Sequence, residues 1–221
     1  MQIIYDTGFE VEKFISSEGG NIPEGWSFDW VPGDKPGPVR PEIQPELESR
    51  NDQGIHSGTV GVKMAHAYSF FDGVLWKRFA AIPDALYEAR IWVTAESDGG
   101  LACQIGIDPF GGTDFQGAGV QWSEWWGTDD DGFKSYEWRQ RAVNAVAMDS
   151  WITVYLRCAC RDAVQVNAGF FDDLQVLADA PDEPPKPPVE GTLGDLLGAI
   201  EDAVSAAVEY VDQNAVQALI V

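Results

Sequence analysis

The feature that most constrains this chain is a series of short β-type runs, separated by clusters of Gly, Pro, Asn and Asp, that fills residues 1–178. The runs alternate apolar and polar residues or are rich in β-branched and aromatic side chains, as strands are. The clearest are residues 59–64, 86–94, 101–107, 152–159 and 170–177. This pattern predicts an all-β sandwich or barrel. Because proline lacks the N–H that a strand ladder needs, we expect the Pro/Gly-rich stretch 22–45 to be a long surface loop.

The composition changes at Asp179, where a proline-rich segment, 179–191, begins. Such a segment forms a semi-rigid spacer, so the β-domain is expected to occupy residues 1–178. Residues 192–221 are rich in Ala, Leu, Val and Glu, and their apolar positions follow the four-three spacing of a coiled-coil seam. We expect an apolar, amphipathic C-terminal α-helix used for assembly, either in a homo-oligomer or by docking onto other protein subunits. The alternative is that this helix folds back on its own sandwich.

Charge and apolar patterning exclude several classes of partner. Lys and Arg total 14 against 36 Asp and Glu, so the net charge of this acidic protein is −22 and its field repels nucleic acid. No apolar run is long enough for membrane insertion, and the N-terminus has no signal-peptide pattern. Cys103, Cys158 and Cys160 are expected to be buried free thiols, which favours synthesis in the cytoplasm. An extracellular location is the alternative if the native signal is missing from this sequence.

Five segments occur in the order expected of one known family. They are TGFE at 7–10 with IPEGW at 22–26, SGTVGVK at 57–63, IPDALYEA at 82–89 and GFFDDLQV at 169–176. Together they resemble the jelly-roll carbohydrate-binding modules of the xylan- and glucan-binding type and their galactose-binding-like relatives. The resemblance covers nearly all of residues 5–178. It implies a mainly β fold, an antiparallel jelly-roll β-sandwich, to which this chain adds the linker and the C-terminal helix.

The same resemblance implies a structural calcium ion that joins the first and last strands. In the family, the Glu of GFE and an Asp of the closing DD are side-chain ligands, which places these roles on Glu10 and on Asp172 or Asp173. Carboxylates and loop carbonyls are the oxygen ligands that Ca²⁺ prefers. Strand alternation lets only one of the two aspartates face a given side. The alternative is that these are solvated carboxylates, as we also expect for the acidic run at 129–131.

Tryptophan is abundant and unevenly placed, with four of nine residues between 122 and 138. Sugars stack on aromatic rings while their hydroxyls meet charged and amide groups. Alternation in residues 86–94 also places Glu88, Arg90 and Trp92 on one face. The candidate ligand-binding residues are therefore Arg90, Trp92, Gln104, Trp122, Trp125, Trp126 and Trp138. The alternative is that these tryptophans are core residues, as most are in a sandwich.

Catalysis has little support, since none of the common nucleophile, metalloprotease or phosphate-loop motifs is present. Two non-enzymatic functions remain. One is a structural or adhesive protein, such as a phage virion component (decoration, tail or receptor-binding protein), that assembles through its C-terminal helix. The other is a glycan-binding module of a polysaccharide-degrading system. A virion protein that binds a host glycan would combine the two functions.

Overall fold

The computed structural model describes residues 1–33, 38–128 and 135–179. Within these residues the chain forms fourteen strands and one short 3₁₀ turn, Asp52–Gly54. In chain order the strands are β1 (Gln2–Thr7), β2 (Phe14–Ser17), β3 (Gly20–Pro23), β4 (Ser27–Trp30), β5 (Glu42–Leu47), β6 (Val60–Ala65), β7 (Phe71–Ala80), β8 (Leu86–Ser97), β9 (Leu101–Asp108), β10 (Gln121–Trp122), β11 (Trp126–Gly127), β12 (Arg139–Val146), β13 (Trp151–Cys160) and β14 (Asn167–Asp179). Asp179, the first residue of the predicted linker, is the last residue of β14. The rest of that linker and the predicted C-terminal helix lie outside the described residues.

The strands form two sheets, which we call sheet A and sheet B. Sheet A has the order β12-β8-β14-β6-β5-β3-β2, and β1 also pairs with β14. Sheet B has the order β10-β9-β13-β7-β4, and β11 also pairs with β9. Every pairing is antiparallel except one parallel bridge between Gly20 and Ile43. The prediction of a mainly β fold is confirmed, and it is a sandwich rather than a barrel.

One apolar core fills the space between the sheets, because alternate residues of the long strands all point inward. β8 contributes Ala89, Ile91 and Val93, and β13 contributes Val154 and Leu156. The three cysteines are also buried there as free thiols, as predicted. In the described part of the chain, no helix has the length and apolar character that a membrane crossing requires.

The prediction that residues 22–45 form one surface loop is wrong. This stretch holds the end of β3, all of β4 and the start of β5. Pro45 lies within β5, where it pairs with Val62 of β6. On its other side β5 meets β3 only at Ile43, so the N–H that proline lacks is not needed there.

Candidate functional site

The outer face of sheet B, the face turned away from the core, carries a second apolar cluster. Val74 and Tyr155 are fully buried on this face, and Trp76 and Trp122 pack against them. They share the face because strand register places Tyr155 of β13 beside Trp76 of β7 and Gly106 of β9. Two residues further along β13, Arg157 lies between Val74 and Gln104.

Two tryptophans reach this face from the edge of sheet B. Trp122 lies over Gly106, where a methyl group would approach its ring to 2.6 Å. Residues 123–125 separate the two short edge strands, and Ser123 bridges the gap. Its N–H donates to the Ile105 carbonyl at 2.8 Å, and its hydroxyl accepts the Ile105 N–H at 3.1 Å. This bulge exposes Trp125, whose side chain is 37% accessible.

Arg157 is the centre of what we call the aromatic–arginine cluster, which comprises Asp72, Phe115, Trp122, Trp125 and Arg157. Its guanidinium carbon lies 5.3, 5.4 and 5.3 Å from the ring centroids of Phe115, Trp122 and Trp125. Asp72 holds the guanidinium in a two-bond ion pair, with Nε donating to Oδ1 at 2.7 Å. About a fifth of each charged side chain remains exposed. The cluster therefore combines a partly exposed indole, that of Trp125, with a fixed pair of hydrogen-bonding groups, and both are groups that can contact a sugar.

The sequence-predicted binding residues do not all lie together. Gln104, Trp122 and Trp125 share the outer face of sheet B, whereas Arg90, Trp92 and Trp138 belong to sheet A or the loop beside it. Gln104 therefore lies apart from Arg90 and Trp92, because β8 and β9 belong to different sheets although they are neighbours along the chain.

On sheet A, the ring of His56 covers Trp92. The two rings stack with centroids 4.0 Å apart and planes inclined by 14°, and Trp138 meets the same imidazole edge-on at 5.5 Å. The Trp138 indole N–H donates to the Gln53 carbonyl, and Arg90 donates to Gln175. These side chains are engaged with one another, so one face of Trp92 is already occupied.

Trp126, the remaining candidate, lies at the edge of sheet B and packs against the main core. Arg139 and Arg141 approach its ring to 5.0 and 5.2 Å, and its N–H donates to the Glu137 carbonyl. It is therefore a packing residue at the junction of the two sheets.

Sequence reasoning missed Asp72, Phe115 and Arg157. Alternation along residues 152–159 puts Tyr155 and Arg157 on one side, and that signal was available. Asp72 is not distinguishable by pattern from other acidic residues. Phe115 lies outside any strand, in a Gly-rich connection, so no periodicity points to it.

The carboxylates predicted to bind calcium do converge. A methyl group on Gly8 would lie 3.2 Å from Asp173 Oδ1, 3.8 Å from Asp172 Oδ1 and 3.8 Å from Glu10 Cγ. The expectation that only one of the two aspartates faces this side is wrong, because β14 has a bulge between Asp172 and Gln175. Asp173 adopts a φ of 49° there, which breaks the alternation.

These carboxylates accept hydrogen bonds from the segment that precedes β6. Asp172 Oδ2 accepts the N–H groups of His56 and Ser57 at 2.9 and 3.1 Å, and Asp173 contacts the His56 ring and the Ser57 hydroxyl, both at 2.7 Å. Burial, together with the charge of Asp173, raises the pKa of Asp172 to about 6 against the opposing N–H donors. For Glu10, burial raises the pKa, but hydrogen bonds from residues 59 and 60 have the larger combined effect, so the pKa of Glu10 lies below its ordinary value.

The three carboxylates of Glu10, Asp172 and Asp173 are oxygen donors of the kind that calcium prefers. Among the described residues, none of them forms an ion pair with Lys or Arg. Across the described ranges, however, no group of three or more His, Cys, Asp or Glu is arranged to hold a metal ion. The donor chemistry fits calcium, while the carboxylates of Glu10, Asp172 and Asp173 are engaged by N–H and O–H donors. Any ion here would also need carbonyl oxygens.

No protein-family model matches the sequence, and a search of curated proteins gives no match. Solved structures do match. A family 61 carbohydrate-binding module in complex with β-1,4-galactotriose is 16% identical, with a TM-score of 0.51 over 78% of this chain and 95% of that one. The K1 cleaved adhesin domain of Lys-gingipain from Porphyromonas gingivalis is 13% identical, with a TM-score of 0.53 over 80% and 98%.

A third match is the CBM22-1–GH10 modules of the Clostridium thermocellum xylanase 10B complexed with xylohexaose. It is 11% identical, with a TM-score of 0.50 over 85% of this chain and 30% of that one. At such identities the likeness shows the fold alone. The described residues therefore have the β-sandwich fold of carbohydrate-binding modules, as the sequence motifs implied.

Proposed function

We propose that this chain is a non-catalytic glycan-binding module whose ligand binds at the aromatic–arginine cluster. The observation that carries the proposal is the exposure of Trp125 beside the fixed Arg157–Asp72 pair. A sugar ring stacked on the indole would place its hydroxyl groups near a guanidinium and a carboxylate. The named ligands of two structural neighbours, β-1,4-galactotriose and xylohexaose, support a glycan as the ligand class.

The ligand is expected to be a neutral glycan. Asp72 compensates the charge of Arg157, and the whole chain carries a net charge of −22. Such a field lowers the local concentration of sulfated or uronic-acid polysaccharides. Hydrogen bonding and stacking are then the main contributions to affinity.

We further propose that the module is the adhesive part of a larger assembly, such as a phage virion, which it joins through residues 192–221. The support is the coiled-coil spacing of apolar residues in that segment and the proline-rich sequence before it. Attachment to a polysaccharide-degrading system is the alternative. We also propose that calcium binds at the carboxylates of Glu10, Asp172 and Asp173, supported by their convergence beside Gly8.

Glycan binding is tested with an array of neutral and anionic glycans, followed by titration of the best ligand. Trp125→Ala should weaken binding by about 1–3 kcal/mol, roughly 5- to 150-fold in Kd. Trp151→Ala is the matched control, because Trp151 is 43% exposed and also has an arginine, Arg78, over its ring. Equal losses in both variants, or no ligand anywhere on the array, would contradict the proposal.

A further inference from the structure

Residues 109–120, which we call the strap, cross the outer face of sheet B. The strap connects β9 to β10, and its Phe115 is 97% buried against Val74 and Tyr155, both of which are fully buried on that face. An aromatic side chain of the protein itself thus covers the middle of the face. Phe115 also supplies one of the three rings around Arg157.

Hydrogen bonds tie the first part of the strap to the rest of the fold. The Tyr155 hydroxyl donates to the Gly112 carbonyl at 2.7 Å, and the Pro109 carbonyl accepts the Met148 N–H at 2.8 Å. Local bonds from the Phe110 N–H to Asp108 Oδ1 and from the Gln116 N–H to Asp114 Oδ1, at 2.8 and 2.9 Å, shape its turns. Because Gly112 is bonded to the sheet and Phe115 is buried against it, the strap is part of the folded face rather than a loose cover.

The strap lies between two Trp–Arg pairs, Trp125 with Arg157 and Trp151 with Arg78. Trp151 and Arg157 are both on β13, six residues or about 20 Å apart. Thr153 and Tyr155, which lie between them on this face, are fully buried. The strap approaches Trp151 at Gly111, where a methyl group would lie 2.6 Å from the Trp151 Cβ, and it reaches Tyr155 at Gly112. A sugar chain that ran from Trp125 to Trp151 would need the space that the strap fills.

The perpendicular path, across the strands, is also closed. The residues that pair with Arg157 on the two neighbouring strands are both buried. Val74 of β7 is fully buried, and Gln104 of β9 is almost fully buried. On the Arg157 side of the strap, Trp125 is exposed and about a fifth of the Arg157 and Asp72 side chains remains accessible. A site bounded in both directions accommodates a few sugar units.

We propose that the site recognises a chain end or a short oligosaccharide rather than the interior of a long polysaccharide; this rests on the proposed glycan-binding function. Phe115 is the specificity-determining residue, because its ring occupies the position of the next sugar units. Affinity should then depend on the first two or three sugars and be insensitive to further length.

The test is calorimetric titration with β-1,4-galacto-oligosaccharides and xylo-oligosaccharides of two to six sugars, or the same series of whichever glycan the array identifies. Affinity should change less than about twofold from three to six sugars, whereas an open groove gains further contacts with each added unit. Trp125→Ala should weaken all lengths about fivefold or more, and Trp151→Ala should leave the hexasaccharide unchanged.

Phe115→Ala should lengthen the site, so that its hexasaccharide affinity rises above its trisaccharide affinity. If that variant fails to fold, the Trp151→Ala titration still shows whether longer oligosaccharides extend beyond the strap. A tenfold gain from three to six sugars in the native protein, or a loss in Trp151→Ala that affects the hexasaccharide but not the trisaccharide, would overturn this inference and leave the glycan-binding function intact. No binding to any array glycan would overturn both.

Discussion

Replacing Tyr155 by Phe tests whether the strap depends on one hydrogen bond. Tyr155 is fully buried, and its hydroxyl donates to the Gly112 carbonyl at 2.7 Å. The Tyr155→Phe change removes a single oxygen and keeps the ring that packs against Val74 and Phe115. The effect therefore reports the bond and not the packing.

The magnitude follows from the burial of this pair. A neutral buried hydrogen bond contributes about 1 kcal/mol net, and a carbonyl left without a donor raises the loss toward about 3 kcal/mol. Gly112 is only partly buried, so water can reach its carbonyl and the lower part of that range applies. We expect Tyr155→Phe to cost about 1–2 kcal/mol, which lowers Tm by roughly 2–8 °C in a domain of this size.

The contribution of Tyr155 also depends on pH. Burial, with added repulsion from Asp108 and Asp114, raises the pKa of Tyr155 above its ordinary value of 10.0. The folded protein keeps the proton that the unfolded chain releases, so the hydrogen bond contributes fully below pH 10 and progressively less above it. The stability difference between native protein and Tyr155→Phe should be constant from pH 7 to 9 and shrink above pH 10.

Thermal unfolding and amide hydrogen exchange measure these effects, with Tyr87→Phe as the matched control. Tyr87 is equally buried, and its hydroxyl accepts the Ile82 N–H at 2.9 Å, away from the strap. Both variants should lose stability, but only Tyr155→Phe should speed exchange of the strap amides. Unchanged strap exchange in Tyr155→Phe would refute the reasoning that this bond holds the strap.

The remaining predictions concern the metal and the C-terminal segment. If calcium is bound at about 100 times its Kd, it stabilises the fold by about 2.7 kcal/mol; chelator should then lower Tm by roughly 5–10 °C, and Glu10→Ala should abolish that sensitivity. A melt that chelator leaves unchanged would end the calcium proposal. Removing residues 180–221 should leave thermal unfolding unchanged and reduce the mass in solution, while salt should strengthen association of the full chain because residues 192–221 carry only acidic charges. Unfolding of the truncated protein would show instead that this segment belongs to the domain core.

Local patterns in the sequence were sufficient for the fold class. Alternation in residues 86–94 identified β8, and the aromatic and apolar residues of 170–177 identified β14, because strand period and β-propensity are local properties that each segment shows independently of the rest of the chain. The burial of the three cysteines followed from the general tendency of free cysteine to be buried. The ordered motifs of the resembled family then indicated which sandwich these strands build.

Only the tertiary structure decided which of the candidate residues share a face. Trp122 and Trp125 share a face of sheet B with Gln104, while Trp92 stacks on His56 beside sheet A. This arrangement depends on pairings between strands that are far apart in the chain. The bulge at Asp173 likewise turns two adjacent carboxylates the same way, which strict alternation excludes. Strand period is a local property of the backbone, whereas sheet assignment, bulges and the position of Phe115 follow from burying apolar surface across the whole chain, which no single segment encodes.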